Sequence, residues 1–183
     1  VTLTDVLVDG QTDADGINIT AGTGNVTLNN ADVIGGGNGD GINVSTTTGI
    51  VNLNGVDVDG QDGGNGINVT TTTGNINLND TDVSNQQDGK TANLSSQSGN
   101  INVTNNSDFE GDNTSQGFFA STTTGSITIT GTSSNRIEFT DAEGPGTGTN
   151  YNGATLSAPN TTLSYVSAND SDGNGILINA TTS

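Results

Sequence analysis

The chain has 183 residues, 20 of them carboxylates against only two cations, Lys90 and Arg136, which gives a formal net charge of −18. Binding to nucleic acid requires clustered Lys and Arg to neutralise phosphates, so nucleic acid is excluded as a partner. Cys and His are absent, which removes Cys–His and Ser–His–Asp catalytic sets and Cys/His zinc sites. No apolar run approaches the roughly 20 residues of a membrane-spanning helix, and membrane insertion is not expected.

A repeat of 25 residues governs the first part of the chain. Four successive lines align without a gap, and a fifth aligns with one inserted residue. Within each line, apolar residues alternate with Thr or Asn, as in VTLT, VNLN and GINVT, which is the period-two pattern of a strand with one buried face. Turn sequences such as DGQ, DGGNG and TTTGN separate these runs. Each line therefore predicts about three short strands and three bends.

One line alone cannot bury its apolar face, but stacked lines can, because each Val, Ile or Leu then packs on its equivalent in the next coil. The sequence predicts an all-β fold, a right-handed parallel β-solenoid (β-helix) of six to seven coils. We expect one solenoid over 1–183, with regular coils in 1–126, an irregular coil with an insertion in 127–162 and a last coil in 163–183. We expect the chain to be a segment of a longer repeat protein.

The repeat becomes irregular after its fourth line. Phe109, Phe118 and Phe119 appear where earlier lines have no aromatic residue, and both prolines lie in the stretch 131–162. Two interpretations stand: the aromatic residues fill a wider section of the core, or 131–162 projects as a binding loop. Under the second interpretation the candidate ligand-binding residues are Arg136, Glu138, Glu143 and Tyr151.

Acidic residues form a regular column. Asp32, Asp57 and Asp82 occupy one position of consecutive lines, and Asp59 and Asp62 lie close by. Stacked carboxylates repel one another, and Ca²⁺ bridging would reverse that repulsion. These five residues are candidate Ca²⁺ ligands, although no cofactor is required. The alternative interpretation is an acidic, solvated face suited to seawater or brine.

The sequence also bears on two other functions, ice binding and polysaccharide cleavage. Ranks such as Thr2-Leu3-Thr4 resemble those of solenoid antifreeze proteins, but Asn replaces Thr in the middle lines, which favours hydrogen bonding along the stack over ice binding. A polysaccharide lyase would need a catalytic set, and the only candidates are Lys90, Asp108, Glu110, Asp112 and Arg136. They fall at unaligned columns, and we expect no enzyme.

The segments TGNVTLNN, TGIVNLNG, TGNINLND, SGNINVTN and TGSITITG resemble the coils of filamentous-haemagglutinin-like proteins, the β-helical bacterial exoproteins of two-partner secretion. The likeness covers about residues 1–130 well and 163–183 loosely. It implies an extracellular or cell-surface stalk that carries adhesive tips or forms fibres.

The expected function is therefore a structural or adhesive rod. Its partners would be other copies stacked end to end, neighbouring repeats of the same chain, or a surface glycan or protein. The alternative is an adhesin domain that binds a ligand through 131–162.

Overall fold

The computed structural model describes residues 1–112, 116–140 and 151–181. These residues form strands and turns and no helix, so none of them forms a helix that could cross a membrane. The strands stack in parallel as a β-solenoid of about seven turns with a spacing of about 25 residues, as the sequence predicts. The chain is therefore a β-helical repeat protein.

Two parallel sheets form the walls of the solenoid. The larger sheet has ten strands, with the order β1-β3-β5-β7-β10-β13-β16 and with β9, β12 and β15 joined beside that path. Its strands are β1 (Thr2–Asp9), β3 (Val26–Ile34), β5 (Val51–Asp59), β7 (Ile76–Gln86), β9 (Ile101–Thr104), β10 (Asp108–Gly111), β12 (Ser126–Thr130), β13 (Ile137–Thr140), β15 (Asn160–Ser164) and β16 (Val166–Ala168).

The smaller sheet has seven strands in the order β17-β14-β11-β8-β6-β4-β2. They are β2 (Ile17–Ala21), β4 (Ile42–Thr46), β6 (Ile67–Thr71), β8 (Ala92–Ser96), β11 (Phe118–Thr122), β14 (Ala154–Ala158) and β17 (Ile176–Ala180). Two parts of the stretch 131–162, which was expected to project as a loop, are thus strands of the two walls. They are residues 137–140 and 154–158. Of that stretch, 141–150 lies outside the described residues.

A single left-handed residue bends the long strand of each early coil. Asp5, Asn30, Gly55 and Asp80 stand at this corner with φ between 51° and 58°. Glycine, Asn and Asp tolerate this conformation best, which explains the residue types at the corner. Two of the three expected strands therefore run together as one bent strand in these coils. They separate as β9 and β10 in the fifth coil, which carries the inserted residue.

The core is a narrow column of stacked side chains of like size. Val26, Val51, Ile76, Ile101 and Ile127 are fully buried and pair in register along one wall. In the irregular coils Phe109, Phe118 and Phe139 pack together, with ring centroids 4.7–5.6 Å apart, and confirm that aromatic residues fill the core there. Phe119 differs from that expectation, because alternation along β11 turns it outward while Phe118 and Ala120 point in.

Candidate functional site

Five carboxylates stack on the outer face of the larger sheet. The predicted column of Asp32, Asp57 and Asp82 is confirmed by the strand register, and it continues through Asp108 and Glu138. The backbone N–H of Asp108 donates to Oδ1 of Asp82 at 3.0 Å, and the Ser167 hydroxyl donates to Oε1 of Glu138 at 3.2 Å. We call these five residues the acidic ladder. Consecutive members are one coil apart, roughly 4.8 Å.

Three members of the acidic ladder, Asp57, Asp82 and Asp108, have pKa values above those of isolated carboxyl groups. Partial burial raises the pKa of Asp57, and the charges of Asp32 and Asp59 raise it further. Burial also raises the pKa of Asp82 and of Asp108, against the opposing effect of a backbone hydrogen bond to each. Repulsion between neighbours in the stack adds to these shifts, because a like charge disfavours ionisation.

The predicted Ca²⁺ ligands do not converge on one point. Asp59 accepts hydrogen bonds from the Ser84 hydroxyl at 3.2 Å and the Asn85 amide at 2.6 Å, and Asp62 lies exposed in the following turn. Among the residues that the structure describes, no group of three or more acidic side chains is arranged to hold a metal ion. The acidic ladder is a line of charges rather than a cage.

Asn side chains form hydrogen-bonded ladders along the walls. Asn102 donates to Asn77 and Asn77 to Asn52, each at 2.8 Å, and on the other sheet Asn93 donates to Asn68 at 3.0 Å. This confirms the interpretation that the polar ranks bond along the stack. The amide groups support neighbouring coils and leave fewer free donors and acceptors on those faces.

A pocket of about 130 Å³ opens on the outer face of the smaller sheet, where the repeat becomes irregular. It is lined by Lys90, Gln116, Gly117, Phe118, Phe119, Tyr151, Asn152 and Thr155. The Lys90 ammonium lies 5.8 Å from the centroid of the Phe119 ring, within cation–π range. We call this site the Lys90 pocket.

The structure separates the three described residues of the four predicted to bind a ligand. Tyr151 lines the Lys90 pocket, Glu138 belongs to the acidic ladder on the other sheet, and Arg136 is exposed beside the tight turn that precedes β13. Glu143 lies outside the described residues. The candidate catalytic residues are likewise spread out, with Lys90 in the pocket and Asp108 on the acidic ladder.

Sequence reasoning missed two members of the acidic ladder and most of the pocket. Asp108 and Glu138 each precede a buried Phe, as Asp82 precedes the buried Val83, and that local pattern could have placed them. Phe119 pairs with Asn93 and Thr155, so it takes the place of an Asn in a ladder column. The sequence feature that could have predicted the pocket is Phe119, an aromatic residue at a position where the preceding repeats have Asn.

Comparisons of the chain with protein-family models, with curated proteins and with solved structures found no match.

Proposed function

We propose that this chain is a structural rod of the cell surface or extracellular space, a stalk or filament module of the filamentous-haemagglutinin-like kind. The observation that carries the proposal is the unbroken strand register from β1 to β7, in which equivalent residues of successive coils pair one to one. A repeat of this kind grows by adding identical coils and resists bending because backbone hydrogen bonds run along its length. Seven coils give a length of roughly 30 Å.

The terminal coils support assembly with further coils. Ile178 stands in register with the buried Leu156, yet 48% of its surface is exposed, and Val1 at the other end is 58% exposed. An apolar side chain of the core column is thus exposed on β17, beside a strand edge that can pair with another strand. The partner that fits is another coil of the same kind, either from a second copy or from neighbouring repeats of a longer chain.

Sedimentation velocity over a range of concentrations tests the assembly. We expect the sedimentation coefficient to rise with concentration, and an Ile178→Asp variant to stay monomeric because its charge meets the apolar end of a stacked partner. The matched control is Ile50→Asp, whose exposed side chain lies in the turn before β5, away from the strand edge of β17. The proposal of end-to-end stacking fails if the parent chain is monomeric throughout, or if both variants assemble as it does.

Ligand recognition is a second candidate function, and the Lys90 pocket favours it. An exposed rod that carries a formed pocket with an aromatic wall and a cation resembles an adhesin module more than a plain spacer. Under this second candidate the binding site does not comprise the whole stretch 131–162. It includes only the part of that stretch that contains Tyr151, Asn152 and Thr155. Inert beads that display the chain can be screened against immobilised glycans. Retention of the beads by a glycan would indicate an adhesin, and no retention would indicate a spacer.

A further inference from the structure

The Lys90 pocket departs from the repeat in both shape and chemistry. In the regular coils the outward column of the smaller sheet carries Asn43, Asn68 and Asn93, which bond to one another. Phe119 replaces the next Asn, and its half-exposed ring packs on the wall and not in the core. Core filling does not require this ring, because Phe109, Phe118 and Phe139 already occupy that section. The ring is therefore available to a ligand.

Lys90 also belongs to a polar column. The residues before it in that column are Asp40 and Asn65, where Oδ1 of Asp40 accepts from the amide of Asn65 at 2.9 Å. The backbone N–H of Lys90 donates to Oδ1 of Asn65 at 3.1 Å, which fixes the start of its side chain. Beyond Lys90 the column continues to Gln116 through a parallel bridge. The ammonium is thereby placed at the mouth of the pocket, over Phe119.

Hydrogen bonds connect two residues that line the pocket, Asn152 and Thr155, to each other and to Asn174. The Asn152 amide donates to Oγ1 of Thr155 at 3.0 Å, while its carbonyl oxygen accepts from the backbone N–H and the side chain of Asn174 at 2.9 and 3.1 Å. Because Thr155 accepts the bond from Asn152, its hydroxyl hydrogen is directed to other acceptors. A fixed hydroxyl beside two aromatic rings lowers the entropy lost when a ligand binds.

Size and charge select the ligand class. The volume of about 130 Å³ falls well below the roughly 300 Å³ of pockets for larger ligands, so the site suits a ligand of single-ring size. Aromatic faces of Phe119 and Tyr151 suit the apolar C–H face of a pyranose, and the amide and hydroxyl groups suit its hydroxyls. The one cation of the lining balances the single charge of a carboxylate, whereas a phosphate monoester carries nearly two negative charges at neutral pH.

We propose that the Lys90 pocket binds one uronic acid residue of an acidic polysaccharide, with the Lys90 ammonium paired to the sugar carboxylate and the ring held against Tyr151 and Phe119. The net charge of −18 repels an acidic polysaccharide at long range, so binding relies on the short-range contact between the sugar carboxylate and Lys90, one of the two cations of the chain. A charge-assisted hydrogen bond between ammonium and carboxylate distinguishes the uronic acid from the neutral hexose.

The test is an amide-shift NMR titration in 0.15 M salt with D-glucuronate and D-glucose, which differ only at C6. We expect glucuronate to shift the signals of Gly117, Phe119 and Thr155 and to bind at least about tenfold more tightly than glucose. Lys90→Gln should remove that preference, and Tyr151→Ala should weaken both sugars. Arg136→Gln is the matched control, because it changes the net charge equally from an exposed turn outside the pocket.

Three results would overturn the assignment: no shifts with either sugar, equal affinity for the two sugars, or the same loss in Arg136→Gln as in Lys90→Gln. The last result would show that overall charge and not the pocket governs binding. Unchanged signals of the regular coils would show that each variant is folded. The proposal does not depend on the rod assembly, since a stalk without a sugar site would still stack end to end.

Discussion

The α-carbon of Gly74 faces the carbonyl oxygen of Gly49 so closely that a Cβ on Gly74 would lie less than 3.0 Å from that oxygen. The same relationship repeats between successive coils, with Gly99 over Gly74 and Gly125 over Gly99. The glycine of the TTTGN turn is thus required because the backbone of the next coil occupies the position of a side chain. This contact ties the sequence of the repeat directly to its stacking.

Gly74→Ala should destabilise the chain by about 2–3 kcal/mol, because the backbone of the adjacent coil must move to accept the methyl group. Gly24 holds the equivalent turn position in the first coil, and a Cβ there meets no atom within 4 Å. Gly24→Ala should therefore leave stability nearly unchanged. Urea denaturation followed by circular dichroism measures both, and equal losses in the two variants would contradict the stacking account.

A buried hydroxyl closes each of these turns. Oγ1 of Thr71 accepts the backbone N–H of Gly74 at 2.9 Å, and Thr71 is almost fully buried. Thr71→Val keeps the shape but leaves that N–H without a partner, which should cost about 1–3 kcal/mol in the free energy of unfolding. The control is Thr70→Val, because Thr70 is exposed on the same strand. A Thr71→Val variant as stable as Thr70→Val would show that the hydroxyl is dispensable.

The aromatic cluster should stabilise the irregular coils locally. Phe109→Ala removes a buried ring that contacts both Phe118 and Phe139, and about 3–5 kcal/mol of stability should be lost. Hydrogen exchange should accelerate most in β10 and β13, since coils interact chiefly with their nearest neighbours. Phe119→Ala, on the outer wall, should change exchange little. Uniform acceleration from β1 to β17 in Phe109→Ala would indicate global and not local cooperativity.

Lowering the pH from 7 towards 4 should stabilise the fold. A carboxyl group whose pKa is raised on folding contributes stability below its unfolded pKa and loses that contribution as the pH rises through its folded pKa. For Asp57, Asp82 and Asp108, whose folded pKa values lie above 3.8, stability should increase as the pH falls from 7 towards 4. Melting temperatures measured across this range should reveal the increase.

Asp57→Asn tests the origin of that dependence. It removes repulsions worth roughly 0.9 kcal/mol per pair at 4.8 Å in the dielectric of water, so the variant should be more stable than the parent at pH 7 and low salt. The gain should shrink at 1 M salt, where charges are screened within about 3 Å. Asp62→Asn removes an exposed charge outside the acidic ladder and should have little effect. An equal gain from both variants would assign the effect to net charge alone.

The fold could be predicted because alternation and turn residues recur in every coil, and stacking then brings like residues into register, as Asp32, Asp57 and Asp82 show. The pairing of Asp82 with Asp108 spans 26 residues and not 25, because the fifth coil carries an inserted residue, and simple column counting misses it. The Lys90 pocket was harder to predict, since Phe119 and its partner Thr155 are 36 positions apart in the sequence and not one 25-residue repeat apart. Only the folded register brings Thr155 beside Phe119.

The central claim is that the chain is a rod that extends by stacking coils end to end. Electron microscopy of the purified chain at rising concentration, with and without millimolar Ca²⁺, tests it most directly. We predict rods of constant width whose lengths are multiples of roughly 30 Å, in both conditions. Single particles of about one solenoid length at every concentration, with and without Ca²⁺, would contradict the claim.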